Sequence, residues 1–533
     1  MFIHNERLWK WLFGIGLMLV AASIPLLNLG MSIGGIWLAS AFALYWLIKG
    51  FSEGRWKEPW QQFARSTPAL ILVLFFLLHI VGLLYTEDLA RGIRDLKIKL
   101  PLLSFAVIFA AMPQMVREWR PILQKIFVVS VCISAIIIAA SYLQEPERYT
   151  DAREAHRFIS HIRFGLMCAL AFAISIYEIQ KTAKLRMLWL LSLAVVMAYS
   201  VSLQNLTALS GILVSFILLP FAFSGEPGQK KLARVFVTGG VALFLALGIY
   251  VAREARNYFP DTIPQRGEIP EYNQNGKMYY HRYGDSQVEN GNLVWYYLEL
   301  EELETHWKQR SGKELSDNDA HGNDIYGTLV RYLSSKGLTK DSVGVWAMNE
   351  EDIRAVEAGI PNYLEPAKPG YQKRLEQIFF ELNAYANGAN PGGNSITQRL
   401  EFWKTGLKIM KQHPLGGIGT GDIGAEYARK YEEMNSPLDR KYRLRAHNQY
   451  LTAWIGNGIL GFLLLVLLLV VPLYCRKWNK QESFLPLVFL GIMALSFLSE
   501  DTLETQAGVT LFGFFYGLYI LSASGNNRDS IRA

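Results

Sequence analysis

Twelve stretches of apolar sequence constrain this chain more than any other feature. They run at about 8–29, 31–49, 68–85, 99–113, 121–143, 162–180, 185–203, 206–223, 233–252, 451–474, 484–500 and 505–523, each long enough to cross or nearly cross a bilayer core of about 30 Å. Backbone groups in lipid must find their partners within the segment, so runs of this kind are expected to be helical. The fourth and eleventh are short and contain or abut Pro101, Pro113 and Pro486, so they are expected to tilt, kink or enter only partway. The expected fold is an all-α polytopic membrane protein of about twelve transmembrane helices, with a large α-rich loop between helices 9 and 10. Composition agrees: 533 residues, 51% hydrophobic and 19% charged, exceed what one soluble domain holds. The first run lacks a small-x-small cleavage site and reads as a first spanning helix rather than a signal peptide.

Basic residues in the short loops orient the spans. Alternate loops carry Lys49, Arg55, Lys57 and Arg65; Arg117, Arg120 and Lys125; Lys181, Lys184 and Arg186; Lys230, Lys231 and Arg234; Arg476, Lys477 and Lys480. The loops at 30, 204–205 and 501–504 carry no Lys or Arg. Both termini are therefore expected in the cytoplasm, and the polar region 253–450 outside it.

Two loops on that outer side break the pattern. One carries Arg91, Arg94, Lys97 and Lys99, the other Arg148, Arg153, Arg157 and Arg163. An anionic lipid-linked substrate would favour such clusters; pairing with Glu87, Asp88, Asp95, Glu145, Glu147, Asp151 and Glu154, or with lipid headgroups, is the alternative. Leu89, Ile93, Leu96 and Leu100 fall at helical spacing, which predicts an amphipathic helix over Asp88–Leu100 lying in the membrane interface.

The chain thus divides into a nine-helix membrane region (1–252), the outer region and a three-helix membrane region (451–533). The outer region splits by charge. Residues 253–398 hold 15 Lys/Arg against 22 Asp/Glu, a net of −7, and 399–450 hold 10 against 6, a net of +4. Only the second part has the sign of a phosphate-handling surface. The first reads as an α-rich inserted domain, with helical stretches at Leu293–Arg310 and Leu375–Ala386, a loop signal at 316–319 and a Gly/Asn-rich hinge at 387–394. Cys132, Cys168 and Cys475 all lie in or beside apolar runs, so no disulfide framework is expected in the polar region. No zinc-ligand spacing occurs, and metal-independent chemistry without a cofactor is the default. The positive excess sits mostly on membrane flanks, which argues against nucleic acid as a partner.

Residues 398–410 form an amphipathic helical pattern that ends at His413-Pro414-Leu415-Gly416-Gly417-Ile418-Gly419-Thr420-Gly421. Those glycines suit either an anion-binding nest or a plain turn, and without a βαβ context they are no dinucleotide fingerprint. Arg445 and His447 stand at the edge of the tenth apolar run. A helix that included His447 would align His447, Leu451, Trp454, Gly458 and Gly461 in one stripe. Histidine titrates near neutrality and can take a proton from a hydroxyl, while guanidinium forks can neutralise a leaving diphosphate.

The pattern Arg399, Trp403 and Pro414-Leu415-Gly416-Gly417-x-Gly419, followed by His447-Asn448 and Gly458-Ile459-Leu460-Gly461, resembles the O-antigen ligase and polymerase superfamily of integral membrane glycosyltransferases. His447, Asn448, Gly458 and Gly461 fit its His-Asn spacing to the paired small residues without a gap. The resemblance is strongest over 399–524, includes the turn Glu500 to Gln506, and is topological over the first 250 residues.

It implies a GT-C-like architecture in a bacterial inner membrane, with the long loop periplasmic. The donor would be an undecaprenyl-diphosphate-linked glycan and the acceptor a lipid A core or another glycan, in a metal-independent, inverting transfer. Arg399 would grip the diphosphate and His447 assist the acceptor hydroxyl. Asn448 would orient His447, and Arg445 and Arg163 would be second phosphate contacts. Ligases of the family typically have an arginine at the outer start of the eighth helix, where this chain reads Leu206-Thr207-Ala208-Leu209-Ser210-Gly211; either Arg163, Arg91 or Arg94 would stand in for it, or the chain would handle its donor differently. The other readings are a polysaccharide polymerase, a protein O-oligosaccharyltransferase or, from another class, a transporter or flippase. The nine-plus-three division of the runs and their nearly charge-free interiors speak against transport.

Overall fold

The computed structural model describes residues 6–144, 152–156, 159–181, 183–221, 227–260, 262–368, 370–475 and 482–522. Arg148 and Arg157, with Glu145, Glu147 and Asp151, lie outside the described residues, as do Arg476, Lys477 and Lys480. The chain forms two compact units, one of 1–241, 402–436 and 443–533, the other of 242–401 and 437–442.

Among its described residues the first unit is built of helices and their connecting loops, with no strand. It opens with α1 (Glu6–Ser23), α2 (Asn28–Glu53), α3 (Glu58–Ala64), α4 (Thr67–Gly82), α5 (Leu89–Ala111), α6 (Pro113–Gln144), α7 (His161–Lys181), α8 (Arg186–Ser202) and α9 (Leu206–Ile217). α10 (Pro227–Arg256) runs from this unit into the second. Proline sets several boundaries. α1 stops two residues before Pro25, because the residue ahead of a proline is pushed out of the helical region. α3 and α4 meet at 88°, with a proline in the first turn of each, where its missing N–H costs nothing. The helix expected over Asp88–Leu100 forms and continues without a break into the next apolar run as α5, capped by the Asp88 carboxylate, which accepts from the Arg91 amide at 2.8 Å.

Four described helices are long and apolar enough to span a bilayer, namely α2, α6, α7 and Gln449–Tyr474, with the bent α3–α4 pair a fifth. α8, α9, Phe484–Ser499 and Gln506–Leu521 are apolar but shorter. α7 and the last apolar helix are buried almost throughout, whereas α2 and α8 expose Ile36, Trp37, Leu188 and Leu191. Lipid tails are as apolar as leucine, so α2 and α8 lose nothing by facing them, and close packing rather than water exclusion holds the centre. Gly211 of α9 illustrates this: a Cβ there would come within 2.4 Å of the Ala169 methyl on α7.

The second unit carries a small hairpin, β1 (Val288–Glu289) and β2 (Asn292–Leu293), antiparallel with Val288 opposite Leu293. Asn290 and Gly291 turn it at φ 48° and 83°, the conformation an Asn-Gly hairpin requires. Then come α11 (Leu300–Ser311), α12 (Ile325–Ser335), α13 (Ser342–Ala347), α14 (Glu350–Glu357) and α15 (Gly370–Ala386). The helix expected from Leu293 therefore starts only at Leu300, where Glu299 caps it. Trp307, Ile325, Leu329, Leu333 and Val356 are fully buried in its core.

α16 (Ser395–Gln412) returns the chain to the first unit, which adds α17 (Ile423–Glu433), α18 (Gln449–Tyr474), α19 (Phe484–Ser499) and α20 (Gln506–Tyr516), extended by a π-helical turn over Gly517–Leu521.

Candidate functional site

His447 lies outside the helix that follows it. α18 begins at Gln449, and Asn448 is its cap, the side-chain oxygen accepting from the Leu451 amide at 3.0 Å. His447 itself sits at φ 45°, the left-handed region a non-glycine residue enters only when its surroundings hold it there. The stripe expected from His447 to Gly461 does not form, for a second reason also: α18 breaks at Asn457 and Gly458, the latter at φ 64° and ψ −164°.

The glycine-rich loop accounts for that break. Ile459 donates to Pro414 O at 3.0 Å, Ile418 to Ile455 O at 2.9 Å and Gly419 to Gly456 O at 3.0 Å, so the loop supplies partners that the helix loses at the kink. The Trp454 indole N–H also donates to Pro414 O at 3.0 Å. A Cβ on Gly458 would lie 1.9 Å from Leu415 O, and one on Gly417 2.6 Å from Gly458 N. Gly417-x-Gly419-x-Gly421 is thus neither a nest nor a plain turn. It is a point where two backbones touch.

The same loop holds α4 and α5 on its far side. The Thr420 hydroxyl donates to His79 O at 2.7 Å, Gly421 N–H to the Thr86 hydroxyl at 3.0 Å, and the Asp422 carboxylate accepts from the Glu87 and Asp88 amides at 2.8 and 2.9 Å.

Three carboxylates in the short turn between α19 and α20 organise the polar groups around His447. Asp501 accepts from the His447 and Asn448 amides at 3.2 and 3.1 Å and from the Thr452 hydroxyl at 2.7 Å. Glu504 takes the buried Lys99 ammonium at 2.7 Å and the Gln449 amide at 3.2 Å, with Arg445 at 3.7 Å. Glu500 takes Arg163 at 3.0 Å on one oxygen and faces His447 Nδ1 at 3.5 Å with the other. Phe402 of α16 covers the imidazole at 5.7 Å between ring centres, and the Trp403 indole holds Ala446 O at 3.0 Å. Burial pushes the Asp501 carboxyl up, against the pull of Arg445 and the Thr452 hydroxyl. Burial acts on Glu504 in the same direction, but Lys99 and Arg445 outweigh it and lower that carboxyl to about 2.

His447, Arg445, Asn448 and Arg163 are accordingly brought into one cluster. Asn448 spends its side chain on capping α18 and on Leu498 O at 3.1 Å. Arg91 lies over Gly424 of α17, where a Cβ would meet its guanidinium at 2.5 Å, and Arg94 is exposed on α5. Gly461 packs against Ala453 O across the kink, 2.4 Å from where its Cβ would stand. Arg399 belongs to the second unit, one turn into α16, with its guanidinium donating to Ser395 O at 3.1 Å. Glu500, Asp501, Glu504, Lys99 and Phe402 are not among the site residues expected from the sequence. A signal for the acids existed: three carboxylates within five residues, between two apolar runs, with no basic residue in the turn.

Residues 367–466 match the O-antigen ligase family model, a span that contains Arg399, the glycine-rich loop, His447, Gly458 and Gly461. Through this segment the chain is similar to the O-antigen ligase superfamily. An uncharacterized protein of Haemophilus influenzae is 26% identical over 125 residues, 23% of this chain. The match spans 30% of that relative's length. The matching segment lies in a chain whose described residues include helices long and apolar enough to cross a bilayer.

Proposed function

We propose that the protein transfers a glycan from undecaprenyl diphosphate to an acceptor hydroxyl at the periplasmic face of the inner membrane, as an O-antigen ligase does. The observation that carries this reading is His447, held out of the helix in a left-handed conformation with a buried carboxylate facing Nδ1, inside the segment that matches the family. In the proposed step His447 Nε2 takes the proton of the acceptor hydroxyl as that oxygen attacks the anomeric carbon from the face opposite the diphosphate. A new C–O bond forms, the sugar–phosphate bond breaks, and its electron pair leaves on undecaprenyl diphosphate with inversion. Arg445, in the same unit as His447, neutralises the charge that develops there. Arg91 and Arg94 suit the approach of an anionic lipid-linked donor.

Surface glycolipids of a deletion strain, complemented with wild type or His447→Ala, test this. Long chains missing from the lipid A core, with full-length polymer held on undecaprenyl diphosphate, are the expected result in the deletion and in His447→Ala. Core capped by a single repeat identifies a polymerase instead. An unchanged lipopolysaccharide moves the acceptor to capsule, exopolysaccharide or protein, and wild-type rescue by His447→Ala removes the histidine from the reaction.

A further inference from the structure

Two consecutive acids grip two consecutive residues at the start of α18. Asp501 accepts both the His447 and the Asn448 amide, which fixes the backbone of His447 against the end of α19. Glu500, its neighbour in sequence, is then carried to the imidazole side chain, with Oε2 3.5 Å from Nδ1. Nδ1 is buried and makes no hydrogen bond of good geometry, and the ring has Phe402 against it. Glu500 is itself held: its side chain is 6% exposed, and its other oxygen accepts from Arg163 at 3.0 Å. Arg163 in turn donates to the Ser160 hydroxyl at 2.8 Å.

We propose that Glu500 is the positioning residue for His447, setting its N–H on Nδ1 and its lone pair on Nε2, and that Arg163 serves Glu500 rather than the donor diphosphate. A neutral imidazole carries one N–H, and the tautomer present follows the acceptor that the other groups offer it. A carboxylate facing Nδ1 selects Nδ1–H, the tautomer a free histidine disfavours, and so leaves Nε2 able to receive a proton. When Nε2 takes it, the imidazolium forms beside an anion already in place. The 3.5 Å separation closes with a small ring rotation, as catalytic hydrogen bonds commonly do once substrate is bound. Arg163 stops the Glu500 carboxylate from turning away. The absence of an arginine at the start of α9 is therefore not made good by Arg163, and the diphosphate falls to Arg445.

This assignment rests on the transferase reading only for its use of Nε2, and the test separates the two. Histidine-selective ¹⁵N NMR on the full-length protein in nanodiscs, with His447 identified by the signal missing in His447→Gln, reads the tautomer directly. Wild type and Glu500→Asp are expected to show Nδ1–H, and Glu500→Gln a loss of that preference. In the complemented deletion strain, transferred glycan per unit of protein should fall by about 10²-fold or more in Glu500→Gln, with partial recovery in Glu500→Asp. An unchanged His447 signal in Glu500→Gln overturns the positioning itself. A changed signal with wild-type transfer leaves the Glu500–His447 contact standing and overturns the use of His447 Nε2 as the base. Should Glu500→Gln accumulate poorly, Arg163→Lys replaces it, with the Nδ1–H signal weakened if Arg163 acts through Glu500 and unchanged if it does not.

Discussion

Lys99 and Glu504 show how much a single residue carries in this protein. Their side chains are 2% and 5% exposed and lie 2.7 Å apart, so removing one leaves a buried charge with its desolvation cost and less of its compensation. Lys99→Met should lower stability by about 3–5 kcal/mol, seen as a large fall in melting temperature in detergent. Adding Glu504→Gln should recover part of it. A single variant that melts like wild type would show that the pair is not formed. The pH dependence follows from the same carboxyl. Its folded value of about 2 lies below its ordinary 4.5, so the stability it contributes is present above pH 4.5 and is lost as pH falls from there towards 2. Residue type alone identified His447 and Arg445 as chemically capable. It said nothing of Glu500, because a carboxylate in a turn is ordinary until a histidine is brought to its side.

At the scale of elements, the break in α18 depends on the loop clamped against it. Gly458 has a conformation open only to glycine and stands with its missing Cβ 1.9 Å from Leu415 O. Gly458→Ala should therefore cost at least about 3 kcal/mol, measured as thermal unfolding in detergent. Wild-type melting would mean that the loop does not hold the kink. Asp422→Ala should cost about 1–3 kcal/mol through the two amides it leaves unpaired at the start of α5, while hydrogen exchange there rises. The start of α5 was legible at Asp88, which caps it, because a cap acts on the backbone next to it, whereas α11 begins later than its spacing suggested, at the cap Glu299. The kink was not legible. Leu451 to Tyr474 reads as one apolar run, and Gly456-Asn457-Gly458 within it can sit in a helix or break one, so the choice was left to the loop packed against it.

At the scale of the whole molecule, the second unit holds its own core and its own electrostatic tuning. Lys340 is 2% exposed, donates to Leu293 O at 3.1 Å, and is lowered by burial from 10.5 to about 7. The unfolded chain thus binds a proton between pH 7 and 10.5 that the folded unit does not, so stability rises with pH across that window. The slope is at most about 1.4 kcal/mol per pH unit. Hydrogen exchange of α12 in the full-length protein should report it, and Lys340→Met should abolish it; an equal slope in that variant would assign the effect elsewhere. Helicity, the apolar runs, the polar insert and the Arg399-to-Gly461 pattern were set by sequence alone, since periodicity, composition and spacing are properties of neighbouring residues. Tertiary structure decided which charges meet. Lys99 finds Glu504 405 positions away and Arg163 finds Glu500 337 away, rather than the nearby acids that composition suggested. Burial makes an unpaired charge so costly that the fold sets these partners, and with them the carboxylate that faces His447.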